Sequence, residues 1–148
     1  MTVKTDLQSL YETDDSFWLE ETIILLKEKR FQDLDVDNLI EELETLGKRD
    51  KNAVASLLEQ IIRHLLLLQY WTEEYDLNGN HWQTEIIGFR NQLERLLTNN
   101  LQNYLNNELE KIYKGALKYV KQKTRFKIDF PEYCPYSLEQ LFDEDYFQ

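Results

Sequence analysis

Between about Asp50 and Trp71, apolar residues recur at three- and four-residue steps: Val54, Leu57, Leu58, Ile61, Ile62, Leu65 and Leu68. That spacing follows the turn of an α-helix and predicts one with a single inward stripe. The last two turns break the pattern. Leu66, Leu67, Tyr70 and Trp71 fall on the sides and back of the same helix, so this end needs cover from neighbouring segments or from a second subunit.

Upstream, "DDSFWLEETIILLKEKRF" predicts a helix capped by Asp15 or Ser16, with acids in its first turn. Phe17, Ile24 and Phe31 share one stripe and Trp18 and Leu25 another. Leu19, Ile23 and Leu26 extend the apolar surface almost all round, which predicts cover on more than one side. "DLDVDNLIEELETLG" predicts the next helix, with Asp35 as N-cap, Leu34 and Leu39 as a hydrophobic staple, and Leu39, Leu43 and Leu46 facing inward. Gly47 marks its end or a bend.

Downstream, "TEEYDLNGN" predicts a loop turning at Asn78-Gly79, after which Asn80 and Gln83 form a capping box. Trp82, Ile86, Phe89, Leu93, Leu96 and Leu97 form the stripe of the following helix. A long helix from about Leu101 to Phe126 buries Leu105, Leu109, Ile112, Ala116 and Tyr119. The tail from residue 127 holds two prolines and a short helix capped by Ser137, with Gln140 completing the box and Tyr136 and Leu141 a staple. Its six phenylalanines and tyrosines predict that it packs across the bundle. No repeat or linker divides the chain. The pattern predicts an all-α single domain over residues 1–148: a helical bundle of four to five main helices, a core over about 7–126, and a packed irregular tail with a short helix.

Composition narrows the chemistry. Four glycines and two prolines in 148 residues favour helices, and 42% hydrophobic content is enough for a core. A single cysteine, Cys134, cannot form an internal disulfide. The stretch "MTVKTDLQSL" lacks the basic and apolar regions of a signal peptide, and no apolar run approaches the ~20 residues that span a bilayer. These features predict a cytoplasmic protein.

The net charge of −11 is uneven: residues 111–127 carry seven bases and no acids. On a helix, Lys111, Lys114, Lys118, Lys121 and Arg125 fall within an arc of about 80°. Such a strip could dock an acidic partner or a phosphate backbone, but charge runs on helices are most often solvated faces. The acidic whole opposes nonspecific nucleic-acid binding, which leaves nucleic acid as the weakest of the partner readings.

Two histidines and one cysteine are too few for a typical zinc site, and neither His64 nor His81 sits in the Glu-x-x-His pairs of di-iron bundles. No phosphate-cradling glycine loop, dinucleotide fingerprint or nucleophile elbow is present. No cofactor, metal or catalytic residue is therefore predicted. Three polar residues lie at the edges of apolar stripes: Glu42, His64 and Arg90. Half-buried groups need partners, so a network in which Glu42 accepts from His64 or Arg90 is expected to lock three helices together. The alternative is that the three line a ligand or metal pocket.

The blocks "FQDLDVDNL" with "LEELETLGK", then "HLLLLQYW", then Trp82 through "EIIGFR", and finally "FPEYCPYSLEQL" resemble, in order, a bacterial and chiefly cyanobacterial family, domain of unknown function 29. The resemblance covers about Leu7 to Phe147. It implies an all-helical fold with no assigned activity, and a shared structural or binding role for Glu41, Glu42, His64, Trp82 and Arg90. Taken together, these readings predict a non-enzymatic protein-interaction module, self-associating through Leu66, Leu67, Tyr70 and Trp71. A ligand- or metal-binding bundle centred on His64 is the alternative.

Overall fold

A computed structural model describes residues 3–148, with side chains from residue 7 onward. The first two residues of the stretch read for a leader lie outside the described residues. Six α-helices follow one another: α1 (Val3–Thr13), α2 (Asp15–Lys27), α3 (Val36–Tyr70), α4 (Tyr75–Leu96), α5 (Asn99–Lys123) and α6 (Leu138–Phe142). Single 3-10 turns lie at Phe31–Asp33 and Thr72–Glu74, and no strand occurs among the described residues. The fold is all-α, as the periodicity predicts. The chain divides into two compact units, Met1–Lys48 and Arg49–Gln148, with the boundary inside α3.

In the first unit α2 begins one residue earlier than its sequence suggests. Asp14, not Asp15 or Ser16, is the N-cap, and its carboxylate accepts from the Phe17 amide at 3.1 Å. Helix α2 ends in a six-to-one bond from the Arg30 amide to the Leu25 carbonyl, with Lys29 left-handed at φ 58°. That conformation ordinarily belongs to glycine. The small core is Leu7, Trp18, Leu25 and Leu34, with Leu10, Tyr11 and Leu39 against it. Leu34 and Leu39 thus sit as the staple requires. Asp35 is 1% exposed, and its Oδ2 accepts from Trp18 Nε1 at 3.2 Å and Asn38 Nδ2 at 2.6 Å, while Oδ1 has no partner.

Two expected breaks are absent. Where the sequence predicts separate helices about Gly47, α3 runs unbroken for 35 residues. One glycine costs about 1 kcal/mol in a helix interior, too little to stop one when strong helix formers follow on both sides. The Asn78-Gly79 turn is likewise helical: α4 starts at Tyr75, and Asn78 donates to Glu74 at 3.0 Å, one turn back. Gly79 is buried, and a β-carbon there would sit 3.3 Å from the Tyr75 ring. The glycine admits that ring and does not turn the chain.

The second unit has its core along the C-terminal half of α3. Val54, Leu58, Ile61, Ile62, Leu65 and Leu68 are buried, with Trp82, Ile86 and Leu93 of α4 and Leu105, Ile112, Tyr113, Ala116, Leu117 and Val120 of α5. Thr98 caps α5 by accepting from the Leu101 amide. The helix ends at Lys123 rather than Phe126, and Arg125 and Phe126 are both left-handed. Tyr119, expected inside, is 41% exposed, because the buried stripe runs instead through Tyr113, Leu117 and Val120.

The tail packs as predicted. Phe130, Tyr136 and Leu141 are buried, and the Ser137–Gln140 capping box is complete. Tyr113 donates to the Pro131 carbonyl, Tyr136 to Gln69 Oε1, and Gln69 Nε2 to the Phe147 carbonyl.

Replacing Trp18 with Phe keeps most of the buried ring but removes a donor from a carboxylate that already has one oxygen unpartnered. The expected loss is about 1–3 kcal/mol in equilibrium denaturation.

Candidate functional site

His64 lies near the C-terminal end of α3, with its ring 5.4 Å from that of Phe89. Its Nδ1 lies 2.7 Å from the Gln60 carbonyl oxygen. A carbonyl can only accept, so Nδ1 carries the proton and the neutral ring has its lone pair on Nε2. Burial lowers the His64 pKa, partly offset by that hydrogen bond and by Glu85, while His81 and Arg63 lower it further.

The same side chain lines a cavity of about 400 Å³ with Leu67, Trp71, Asn78, His81, Trp82, Tyr119 and Lys123. The protein's two histidines, seventeen positions apart, therefore meet one space. Spacing places His81 just past the Asn80 cap and does not join it to His64. Continuous α4 instead carries Asn78, His81 and Trp82 on consecutive turns of one helix. Trp71 and Trp82 are near-parallel, with centroids 6.0 Å apart and planes at 22°.

Glu42 belongs to the first unit and His64 and Arg90 to the second, and each forms hydrogen bonds within its own unit. Glu42, in the first unit, accepts from the Tyr11 hydroxyl at 2.7 Å, a bond that raises the Tyr11 pKa to about 12. Arg90, in the second, donates from Nε to the Leu141 carbonyl at 2.8 Å and from Nη2 to Gln140 at 3.3 Å. Those are carbonyls at the end of α6, where a cation is favourably placed. Each residue forms its hydrogen bonds within its own neighbourhood, and helical periodicity alone could not assign those partners.

Arg90 is only 6% exposed and has no carboxylate partner within salt-bridge distance among the described residues. Burial lowers its pKa, with Asp143 opposing, and the Phe147 ring lies 5.3 Å from the guanidinium. Its Nη1 is unpartnered. A cleft of about 500 Å³ beside it is also lined by Glu94, Glu144 and Asp145. Those carboxylates oppose an anion, and Nη1 is closed to solvent, so Arg90 acts here as a clamp on the tail.

The predicted contact surface at the end of α3 also needs correcting. Leu66 and Leu67 are buried, and Tyr70 and Trp71 pack against the same core. Of the two ways to cover that end, the chain uses its own neighbouring segments, including the tail. The lysines of the strip stay on α5, whereas Arg125 lies past the helix end in a left-handed turn. Lys114, Lys118 and Lys121 line an open groove of about 610 Å³ with Arg63, Tyr119 and Phe126. Arg63 stacks 3.9 Å from the Tyr119 ring centroid and pairs with Glu59 at 2.6 Å. Gly115 lies against the Glu59 carboxylate so closely that a β-carbon there would collide with it. Cys134 is half-buried, its thiol raised to about 11 by burial, and Sγ donates to the Tyr136 carbonyl.

A group of exposed apolar residues lies in the first unit. On α2, Trp18, Thr22 and Leu25 are buried, but Phe17, Leu19, Ile23, Ile24 and Leu26 are exposed on either side of that stripe. Phe31 is 57% exposed. On the first turns of α3, Val36, Ile40, Leu43 and Leu46 are exposed, Leu43 at 59%. Leu43 and Leu46 therefore do not face inward as their spacing with Leu39 suggests; only Leu39 meets the core. The near-continuous apolar circumference of α2 signals this surface in the sequence, without saying which side is left bare.

An all-helical chain with these blocks in this order defines a class of small helical protein. The chain belongs to the family described as Domain of unknown function DUF29, which matches residues 10–147. No curated protein and no solved structure matches it. Among the described residues no helix is long and apolar enough to cross a membrane, and no group of three or more His, Cys, Asp or Glu side chains is arranged to hold a metal ion.

Two measurements test the second unit. His64 has an ordinary pKa of 6.5 when unfolded and a lower one when folded. The stability it contributes is present above pH 6.5 and lost as pH falls toward the folded value. His64→Gln should flatten that part of the stability–pH curve. Arg90→Leu should leave α6 without its donors and speed amide exchange over residues 138–147 by at least about tenfold, since a lost charged hydrogen bond is worth roughly 1.5–3 kcal/mol.

Proposed function

We propose that this protein is a non-enzymatic protein-interaction module whose docking surface is the exposed apolar face of its first unit. Its partner, on this reading, is another protein that offers an amphipathic helix with basic flanks. The observation that carries the proposal is the bare apolar surface on α2: Phe17, Leu19, Ile23, Ile24 and Leu26 all lie outside the core. Single exposed apolar residues are ordinary, but a helix apolar on both sides of its buried stripe marks an interaction surface.

Charge selects the partner. Met1–Lys48 holds thirteen acids and five bases, a net of −8. Two such faces brought together would repel, so a second copy docking face to face is disfavoured. A helix with basic flanks would meet complementary charge, which mainly speeds association and sets specificity. An unreactive thiol at Cys134 supports the non-enzymatic reading, because the thiolate is the nucleophile and burial suppresses it.

Leu19→Glu with Ile23→Glu should leave the helical circular dichroism unchanged, since both positions are exposed. It should halve or further reduce the fluorescence of an apolar surface dye, and weaken a purified partner helix with basic flanks by at least about a hundredfold, or 2.8 kcal/mol. Equal dye and helix binding by wild type and variant would overturn the proposal. So would a stable dimer in light scattering that the variant dissolves, which would make a second copy the occupant.

A further inference from the structure

The cavity shared by His64 and His81 has no part in that docking surface. We propose that it binds a small aromatic anion, a flat ring carrying a carboxylate or phosphate group.

Size, walls and charge all point the same way. A volume of about 400 Å³ lies within the range of small-molecule sites, which run from roughly 300 to 1,000 Å³. Leu67, Trp71 and Trp82 supply apolar wall; Trp82 is buried beneath Trp71, and the accessible part of the half-buried Trp71 indole is a flat surface on which a ring can stack. The polar lining is His64, His81, Asn78, Tyr119 and Lys123, with no carboxylate among them. Lys123 is the cation of this lining, while the carboxylates of Glu74, which accepts from Asn78, and Glu85, which acts on His64, are not among the lining groups.

Lys123 supplies the fixed cation. Tyr119 continues the same wall into the neighbouring groove of Arg63, Lys114, Lys118 and Lys121, so an anionic group reaching out of the cavity meets further positive charge. The net charge of −11 opposes a long polyanion but not a ligand of one or two charges.

His64 adds a pH response. With Nδ1–H committed to the Gln60 carbonyl, a second proton goes to Nε2 and turns it from acceptor to donor. A bound anion stabilises that imidazolium, so binding takes up a proton. Of the charged groups felt by His64, His81 and Arg63 oppose protonation and Glu85 favours it, and Lys123 lines the same cavity. The anion supplies the missing counter-charge.

Calorimetry with adenosine monophosphate and with benzoate tests this, with inorganic phosphate, adenosine and benzamide as probes that lack either the ring or the charge. At least one aromatic anion should bind with a dissociation constant at or below about 1 mM, a standard free energy near −4.1 kcal/mol. The three controls should bind at least tenfold more weakly. Lys123→Ala and His81→Ala, at exposed positions, should keep the fold by circular dichroism and each weaken binding by about three- to tenfold, as expected for loss of one charged or polar contact. The carboxylate probe is ionised throughout, so its affinity should rise at least threefold from pH 7.5 to 5.5, and His64→Gln should reduce that rise. No saturable binding of either anion, equal binding of the controls, or affinity indifferent to both alanine variants would overturn the proposal.

Discussion

Everything in the second unit depends on the C-terminal half of α3 being apolar around most of its circumference. A helix with one oily stripe can rest on the side of a bundle; one that is oily all round has to be enclosed. Leu65 through Leu68, four consecutive leucines, are all buried. Enclosing them takes α4, α5 and the tail together, which explains why twenty residues with little regular structure are held by specific hydrogen bonds at Tyr113, Gln69 and Arg90. The tail is part of the core's wall.

Enclosure also decides where polar groups collect. Where α3 ends at Tyr70, His64 on its last turns and Trp71 just past it are half-buried, and residues of α4 and α5 line the space beside them. A hydrophobic seam that runs out there leaves space that aromatic and cationic side chains only partly fill. The first unit shows the opposite economy. Its core is four residues with three more against it, and the rest of its apolar inventory faces outward.

Much of this was legible in the residues. Helical class, the central stripe of α3, the Ser137–Gln140 box and the packed tail all follow from spacing and local capping chemistry, which depend on a few neighbouring positions. The errors come from signals with two meanings. Gly47 and Asn78-Gly79 read as stops because glycine favours turns, yet Gly79 leaves room for the Tyr75 ring, a close approach of a side chain to the helix backbone one turn on. Glu42 and His64 are half-buried and Arg90 is buried, but a place at the edge of an apolar stripe fixes only that a partner is needed. Which partner is set by three-dimensional packing, and each found one outside the predicted trio. Leu66 and Leu67 show the same limit: an apolar back demands cover, and periodicity is silent on whether the chain itself supplies it.

Gly115 carries a consequence of its own. Because the Glu59 carboxylate occupies the place of a side chain at that position, even alanine would push the end of that flexible side chain aside and change the geometry of its pair with Arg63. Glycine at 115 thus leaves room for the acid to lie flat against α5, next to the lysines of the groove.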